Sequence, residues 1–300
     1  TLTNVVTLTL GSTIAADATV TLDYTAGSDP NPIQDKAGNI APDITTTSVT
    51  NNNVAPATPT ISLDPLSDSG TYNYDLITNI PAPTIDVTVD SAGSGAIVAG
   101  DNMEFIINGT PSTYVYTIQT SDLGTASTSI ITTALPNLGI DGTKAVQIKI
   151  LDPVGNVSSA SNTLNITLDT QISQPVITGF TPDSNVVGDH ITNATALATI
   201  SGSADAGSTV IIYQGTSVQG TVTADSSGSW TFSTSSSLSN GNTYSYSAVA
   251  YDIAGNSSVS DIYTVIDDTA PPTIAINDPL MVDNIINASE ISNVTLSGTV

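Results

Sequence analysis

Acidic and amide side chains recur in short loops of this sequence, and their chemistry suits a hard cation. Residues 151–156 read Leu-Asp-Pro-Val-Gly-Asn and residues 251–256 read Tyr-Asp-Ile-Ala-Gly-Asn, so the two aspartates lie 100 residues apart. Carboxylate and carboxamide oxygens, without nitrogen or sulfur ligands, favour Ca²⁺, which takes about six to eight oxygens at about 2.3–2.6 Å. Mg²⁺ fits less well because it prefers a tight octahedron and keeps its waters.

A second acidic loop, Asp-x-Ile-x-Asn, occurs three times, each time after a proline and a short apolar strand. The three copies close the segments 59–79, 175–193 and 272–287. Together with the aspartates of the linkers that follow, the two kinds of loop predict a set of calcium ligands. We expect this set to be Asp68, Asp75, Asn79, Asp169, Asp252, Asn256, Asp152, Asn156, Asp189, Asn193, Asp267 and Asp268.

The segments between these loops have the pattern of β-strands. Apolar and polar residues alternate in 145–150, as in a half-buried strand, and no helical periodicity extends over a useful length. Turn residues divide the second repeat into strands predicted at 175–180, 195–202, 209–214, 217–224, 230–235, 243–251 and 258–266. The pattern predicts an all-β fold of tandem immunoglobulin-like, seven-stranded sandwiches, with a barrel as the alternative. Trp230 is expected to be a core anchor.

Repetition of the same motifs predicts a string of domains. We expect the C-terminal part of a β-sandwich repeat at 1–54, complete Ig-like domains at 55–169 and 170–268, and the N-terminal part of a further Ig-like repeat at 269–300. Such an array would be rod-like, because each unit contacts only its neighbours. It favours a structural or adhesive role over an enzymatic one.

The topology of a seven-stranded sandwich predicts where the acidic loops meet. The loop after the first strand lies where the chain leaves the domain, and the loop before the last strand lies where it enters. We therefore expect Asp68, Asp75 and Asn79 to lie beside Asp169, facing the same interdomain gap as Asp252 and Asn256 of the next domain. The same reasoning places Asp152 with Asn156 before the first complete domain, Asp189, Asn193, Asp267 and Asp268 after the second, and Asp35 with Asn39 facing an upstream domain.

A second interpretation of the Asp-x-x-Gly-Asn loops needs no metal. Aspartate accepts backbone N–H groups in tight turns, and glycine and asparagine tolerate positive φ, so each loop taken alone is also a good turn. Convergence of three acidic elements on one gap is what favours a metal ion over a turn.

The charge of the chain excludes several classes of partner. Lys36, Lys144 and Lys149 are its only basic residues apart from one histidine, and the 27 carboxylates give a formal net charge of −24. Nucleic acid is therefore not expected as a partner, and anionic membrane surfaces are disfavoured. No stretch approaches the roughly 20 apolar residues of a membrane span, so no direct membrane insertion is expected. Without cysteine there are no disulfides or thiolate metal sites.

Five motifs in order carry a resemblance to a known family: Ser-Asp-Ser-Gly at 67–70, Asp-Leu-Ile-Thr-Asn at 75–79, Asp-Ser-Ser-Gly-Ser-Trp at 225–230, Asp-Ile-Ala-Gly-Asn at 252–256 and Asp-Thr-Ala-Pro at 268–271. The set resembles the bacterial immunoglobulin-like (BIg or Bap-like) repeats of giant secreted RTX-type adhesins, over about residues 55–300. Residues 1–54 resemble the end of a related repeat.

The resemblance implies a function as well as a fold. In this family the repeats form calcium-stiffened extender rods that hold binding domains away from the bacterial cell. It therefore implies an extracellular location, on the cell surface or secreted, a role in adhesion and biofilm formation, and neighbouring repeats of the same chain as partners. The family's long glycine-aspartate nonapeptide runs are missing here, so the segment resembles the extender rather than the secretion end.

Two other functions are weaker predictions. A module that binds a surface glycan or a protein would fit best in 55–169, whose first loop is longer and which contains Tyr72, Tyr74, Tyr114 and Tyr116. A carboxylate-pair glycosidase ranks third, because repetition places the carboxylates at junctions rather than in a cleft. His190, the only histidine, has no nucleophile motif to accompany it, so we expect no catalytic activity.

Overall fold

The computed structural model describes residues 18–25, 32–34, 37–50, 53–276 and 298–299, and the chain forms two compact units, Thr1–Thr170 and Gln171–Val300. Strands dominate, and the one helical element among those residues is a 3-10 turn at Thr120–Asp122. The predicted all-β class is confirmed. Asp35 and the acidic loop at 283–287 lie outside the described residues.

The first unit contains a β-sandwich preceded by a two-stranded antiparallel sheet. That sheet pairs β1 (Thr19–Tyr24) with β2 (Ile44–Thr50). The sandwich strands are β3 (Thr60–Leu63), β4 (Ile77–Thr78), β5 (Thr84–Asp90), β6 (Asn102–Ile107), β7 (Thr110–Thr117), β8 (Thr128–Ala134), β9 (Gly142–Leu151) and β10 (Leu164–Leu168). One layer has the order β3-β5-β8 and the other β4-β10-β9-β6-β7. Two separate layers make this a sandwich and not a barrel.

The first strand of this sandwich is divided between the two layers. β3 pairs antiparallel with β5, whereas the two-residue strand β4 pairs in parallel with β10. Residues 64–76 carry the chain from one layer to the other. This crossing loop contains Asp68 and Asp75, so the split strand is what brings the first acidic motif to the end of β10.

The core of the first sandwich lies between the two layers. Ile85, Val87 and Val89 of β5 alternate with more exposed residues, and the inward-facing residues of β9 alternate in the same way. Complete burial of a Val or Ile side chain contributes about 1.5–3 kcal/mol. The residues that alternate in sequence therefore form half-buried strands, as predicted. The apolar core between the layers stabilises the domain without a disulfide.

The second unit repeats the architecture. Its sandwich strands are β11 (Val176–Thr181), β12 (Ile191–Thr192), β13 (Thr199–Ser203), β14 (Thr209–Gln214), β15 (Ser217–Thr223), β16 (Ser229–Ser233), β17 (Thr243–Tyr251), β18 (Ser257–Val259) and β19 (Tyr263–Asp267). The layers are β11-β13-β16 and β12-β19-β17-β14-β15, with β18 also paired to β17. β20 (Ala275–Ile276) and β21 (Gly298–Thr299) form a separate antiparallel pair.

The prediction of one strand over 258–266 is wrong, because β18 and β19 are separate. Ser260 interrupts them: its buried hydroxyl accepts the Ala248 N–H at 2.9 Å and donates to the carbonyl of Asp261 at 2.8 Å. A side chain thus takes the place of a ladder hydrogen bond, and the strand breaks without leaving the Ala248 amide unpaired.

Trp230 anchors the core of the second sandwich, as predicted. Its side chain is 3% exposed on β16 and lies over Gly202 of the neighbouring strand β13. A Cβ atom at Gly202 would lie 2.3 Å from the Trp230 Cζ2 atom and 2.0 Å from the carbonyl oxygen of Val176. The glycine is therefore required by the close approach of the indole ring and of strand β11.

Candidate cation-binding poles

Each sandwich has an N-terminal pole, where its chain enters, and a C-terminal pole, where its chain leaves. At the C-terminal pole of the first sandwich, Leu168 of β10 lies opposite Thr78 of β4. The Asp169 N–H then donates to the Thr78 carbonyl at 2.9 Å. The structure therefore brings the linker residue Asp169 next to the loop that holds Asp75 and Asn79.

Two carboxyl groups of this pole have oxygens without a hydrogen-bond partner. Asp68, 5% exposed, accepts the Leu76 N–H with Oδ2, and Asp75 accepts the Ile77 N–H with Oδ1. Within the described chain, Asp68 Oδ1 and Asp75 Oδ2 are buried and have no partner. Burial raises the pKa of Asp68, and the neighbouring Asp75 carboxyl raises it further, against the lowering effect of the Leu76 N–H.

The predicted ligand Asn79 contributes to the geometry of this loop through its backbone. Its N–H donates to the Ser69 hydroxyl at 2.8 Å, and the Thr78 hydroxyl accepts the N–H of Ile80 at 3.1 Å. Leu76 has a positive φ of 63°, an uncommon conformation for a non-glycine residue. The loop is therefore held in one shape by side-chain-to-backbone hydrogen bonds around Asp68 and Asp75.

The C-terminal pole of the second sandwich has the same construction. Asp189 accepts the Ile191 N–H at 2.9 Å, the Asn193 N–H donates to the Ser184 hydroxyl at 2.8 Å, and the Asp268 N–H donates to the Thr192 carbonyl at 2.9 Å. His190 has a φ of 67° and stacks on Tyr263, with ring centroids 4.3 Å apart. The histidine thus occupies the position of Leu76 in the first sandwich.

Sequence reasoning missed Asp183, which corresponds to Asp68. Its Oδ2 accepts the Gly188 N–H at 2.7 Å, and its Oδ1 is buried without a partner in the described chain. The sequence signal that could have found it is the Asp-Ser pair. Asp183 directly precedes Ser184, whose hydroxyl accepts the Asn193 N–H, just as Asp68 directly precedes Ser69, whose hydroxyl accepts the Asn79 N–H.

Asp267 is the most buried carboxyl group of this pole. It is 0% exposed, and neither of its oxygens has a partner among the described residues. It lies opposite Thr192 in the parallel pair β12–β19, as Leu168 lies opposite Thr78 in β4–β10. The second sandwich therefore holds an unpaired carboxyl at a position that is a leucine in the core of the first.

The two Asp-x-x-Gly-Asn loops lie at the N-terminal poles and form closed turns. The Asn156 N–H and side-chain amide donate to Asp152 Oδ1 and Oδ2, both at 2.8 Å. Asn256 makes the same two bonds to Asp252, again at 2.8 Å each. Burial raises the pKa of Asp152, but the hydrogen bonds from Asn156, Gly155 and Val154 outweigh it and hold the pKa below its usual value. Both loops thus have the geometry of the turn interpretation.

The four tyrosines of the alternative binding site lie in two places. Tyr72 and Tyr74 are on the crossing loop before β4, with ring centroids 5.7 Å apart, and Tyr74 is 75% exposed. Tyr114 and Tyr116 are on β7, at the opposite edge of the same sheet. The Tyr116 hydroxyl donates to Asp122 at 2.8 Å. The structure therefore does not combine the four rings into one surface.

Within the part of the chain that the structure describes, no group of three or more His, Cys, Asp or Glu side chains is arranged to hold a metal ion. Backbone oxygens, hydroxyls or water would therefore have to complete the coordination of any ion at these poles. Asn39 of the upstream loop is exposed, and its predicted companion Asp35 is not described.

The sequence profile described as bacterial Ig-like domain matches this chain twice, at residues 54–170 and 171–269. The chain belongs to the bacterial Ig-like domain family. The predicted resemblance to bacterial Ig-like repeats is thus confirmed, and the two matched segments coincide with the two sandwiches described above. No curated protein sequence matches the chain. No helix in the described ranges is long and apolar enough to cross a bilayer.

Three solved structures are among those similar to these bacterial Ig-like domains. A biofilm-associated protein, BSP domain, is 24% identical, with 65% of this chain and 29% of that chain covered and a TM-score of 0.25. A tetra-tandem repeat in the extending region of a large adhesion protein is 16% identical. The match covers 88% of this chain and 61% of that chain, with a TM-score of 0.31. The fibronectin(III)-like modules of Clostridium thermocellum CbhA are 17% identical. The match covers 70% of this chain and 95% of that chain, with a TM-score of 0.34.

Proposed function

We propose that this chain is a structural extender segment of a large bacterial cell-surface adhesin, located outside the cell and without catalytic activity. Family membership over 54–269 supports the tandem Ig-like part of this proposal. The repeat is the functional unit: each domain contributes length, and the loops at its poles contribute contacts to cations and to neighbouring repeats.

The C-terminal poles of these domains bind Ca²⁺. The observation that carries this proposal is the set of buried carboxyl oxygens without partners at the C-terminal poles: Asp68, Asp75, Asp183 and Asp267. An unpaired buried charge is strongly unfavourable, and a cation beside it offsets that cost. A hard divalent cation satisfies several of these oxygens at once, in a chain whose formal charge is −24.

Calcium binding acts on the mechanics of the array. Without cation, carboxylates repel one another over a screening length of about 8 Å at physiological salt. Neutralising them removes this repulsion and restrains the short linkers that begin at Asp169 and Asp268, so that successive domains lose freedom to swing. Each sandwich keeps its own hydrophobic core with or without the ion, because that core contains no metal ligand.

Small-angle scattering on the 300-residue chain tests this function. We expect a larger maximum dimension and lower flexibility in millimolar calcium than in chelator. Asp68→Asn should weaken the response, whereas Asp90→Asn, which removes the same charge from an exposed position on β5, should leave it intact. Identical scattering curves with calcium and with chelator would show that the ion does not restrain the array.

A second candidate function is recognition of a glycan or protein by the first domain. The observation that favours it is the exposed pair Tyr72 and Tyr74 on the crossing loop, since exposed aromatic rings are common binding groups. Glycan-array binding by the whole chain, lost in Tyr74→Ala, would support this function. If the unaltered chain binds no glycan, this second function is contradicted and the extender function is the one that remains.

A further inference from the structure

A cavity of about 300 Å³ lies at the N-terminal pole of the first domain, and two carboxyl groups line it. Asp101 comes from the loop between β5 and β6, and Asp152 from the turn after β9. Val54, Pro56 and the segment 93–96 complete most of the wall, and none of the lining residues is basic. A water takes about 30 Å³, so a cation with several of its waters fits in this space.

Asp101 is a buried carboxyl group whose hydrogen bonds are incomplete. It is 1% exposed, its Oδ2 accepts the Val98 N–H at 2.9 Å, and its Oδ1 is buried without a partner in the described chain. Burial raises the pKa of Asp101, and the nearby charge of Asp152 raises it further, although the Val98 N–H acts in the opposite direction. A buried carboxyl oxygen of this kind needs a hydrogen-bond donor or a cation beside it.

The wall facing these carboxyls is held in position by the chain that enters the domain. The Ala57 N–H donates to the Gly95 carbonyl at 2.9 Å. Gly95 has a φ of +75°, and a Cβ atom there would lie 2.8 Å from the Ala55 carbonyl oxygen. Only glycine allows this approach, so the entering chain is fixed against the loop that lines the cavity.

The second domain has a serine where the first has Asp101. The Gly100 N–H donates to the Ile118 carbonyl, and the Ile118 N–H donates to the Asp101 carbonyl. In the second domain Gly207, Ala224 and Ser208 make the same two bonds, so Ser208 is the counterpart of Asp101. Its hydroxyl is also buried without a partner among the described residues.

We propose that Asp101 and Asp152 bind one Ca²⁺ ion in this cavity, and that the second domain lacks the ion because Ser208 replaces the buried carboxylate. The inference deepens the proposed function, on which its choice of cation rests, by adding a site that lies within one domain. Calcium suits the site better than magnesium because a roomy cavity with two carboxylates, carbonyls and water does not impose a tight octahedron. With two charged ligands, the affinity falls in the weak range of about 10⁻⁴–10⁻³ M.

Equilibrium dialysis of the whole chain against calcium in physiological salt tests the site by counting bound ions. Asp101→Asn should remove one ion per molecule, and Asp101→Ser, which copies the second domain, should do the same. Asp68→Asn is the matched variant for the C-terminal pole and should remove a different ion. The double variant Asp101→Asn with Asp68→Asn should therefore lose two.

The reciprocal change is Ser208→Asp, which places a carboxylate beside Asp252 in the second domain. It should add one ion to the count, with folding followed by the fluorescence of Trp230. An unchanged count in Asp101→Asn overturns the inference, and the proposed function survives that result if Asp68→Asn still loses an ion. If the unaltered chain binds no calcium at millimolar concentration, both proposals are wrong.

Discussion

Replacing Asp267 by leucine should stabilise the second domain in the absence of cation. Both oxygens of this fully buried carboxyl lack a partner within the described chain, and the equivalent position of the first domain is the core residue Leu168. Exchanging buried ion pairs for apolar groups of similar size ranges from neutral to a gain of about 4 kcal/mol, and a carboxyl without a partner lies at the favourable end because nothing offsets its burial; burying a leucine side chain is worth about 1.5–3 kcal/mol. We therefore expect Asp267→Leu to raise the free energy of unfolding by about 2–4 kcal/mol in chelator.

Calcium should reduce this difference. If Asp267 helps to hold an ion, the unaltered domain gains about 1.4 kcal/mol at a calcium concentration ten times the dissociation constant and about 2.7 kcal/mol at a hundred times. Asp267→Leu cannot make this gain. The advantage of the variant should therefore shrink by about 1.4–2.7 kcal/mol on moving from chelator to calcium, which no purely hydrophobic effect would do.

Urea unfolding followed by tryptophan fluorescence measures both effects. Trp230 is the one tryptophan of the chain and is buried in the second domain, so its emission follows that domain alone. With a slope of about 2 kcal/mol per molar urea, in the middle of the usual range, the expected midpoint shift in chelator is about 1–2 M. Asp268→Asn, which removes a neighbouring exposed carboxylate, is the control and should shift the midpoint little. A midpoint in Asp267→Leu equal to or below that of the unaltered chain in chelator would refute the reasoning.

Two further predictions concern single positions. Gly202→Ala should destabilise the second domain by about 3 kcal/mol, because the new methyl meets Trp230 and the backbone of Val176, whereas Gly179→Ala, which has ordinary space, should stay near the original stability in the same urea assay. Burial raises the pKa of Asp68, so the folded state keeps this proton to a higher pH than the unfolded state does. In chelator, calorimetry should therefore show the stability of the first domain falling as pH rises from the unfolded-state pKa of aspartate, about 3.9, through the folded pKa of Asp68. Asp68→Asn should reduce this fall without abolishing it, because burial also raises the pKa of Asp101 in the same domain, and a profile unchanged by the substitution would contradict the assignment.

The strands of both sandwiches could be predicted from sequence because alternation of apolar residues directly reports which side faces the core. The two-residue strands β4 and β12 could not, since a pair of residues has no period and their strand character comes from the partner strand. The break at Ser260 was missed for a related reason. Its hydroxyl replaces a backbone hydrogen bond, and nothing in the alternation of 258–266 marks that exchange.

The acidic motifs were predicted to gather at the ends of the sandwiches, and the placement of Asp169 beside Thr78 agrees with that topology. Asp101 was missed because it lies in no repeated motif and its counterpart is Ser208. Its burial depends on the linker packing against the loop at 93–96, a contact between segments about 40 residues apart. Single-sequence patterns report local alternation and turns, and they do not report such long-range burial.

The division of the first strand determines how each domain responds to tension. β4 is the second half of the divided first strand, and β10 is the last strand of the domain. The two run in parallel, with Ile77 opposite Thr167 and Thr78 opposite Leu168. A pull on the two ends of the chain therefore loads this short pairing in shear, so that its hydrogen bonds must break together. The Asp169 amide extends the same pairing by one further bond to Thr78. Asp169 and the loop of Asp75, to which the proposed function assigns a cation, thus also lie where the domain resists being pulled apart, so an ion bound there would raise the force needed to unfold the domain.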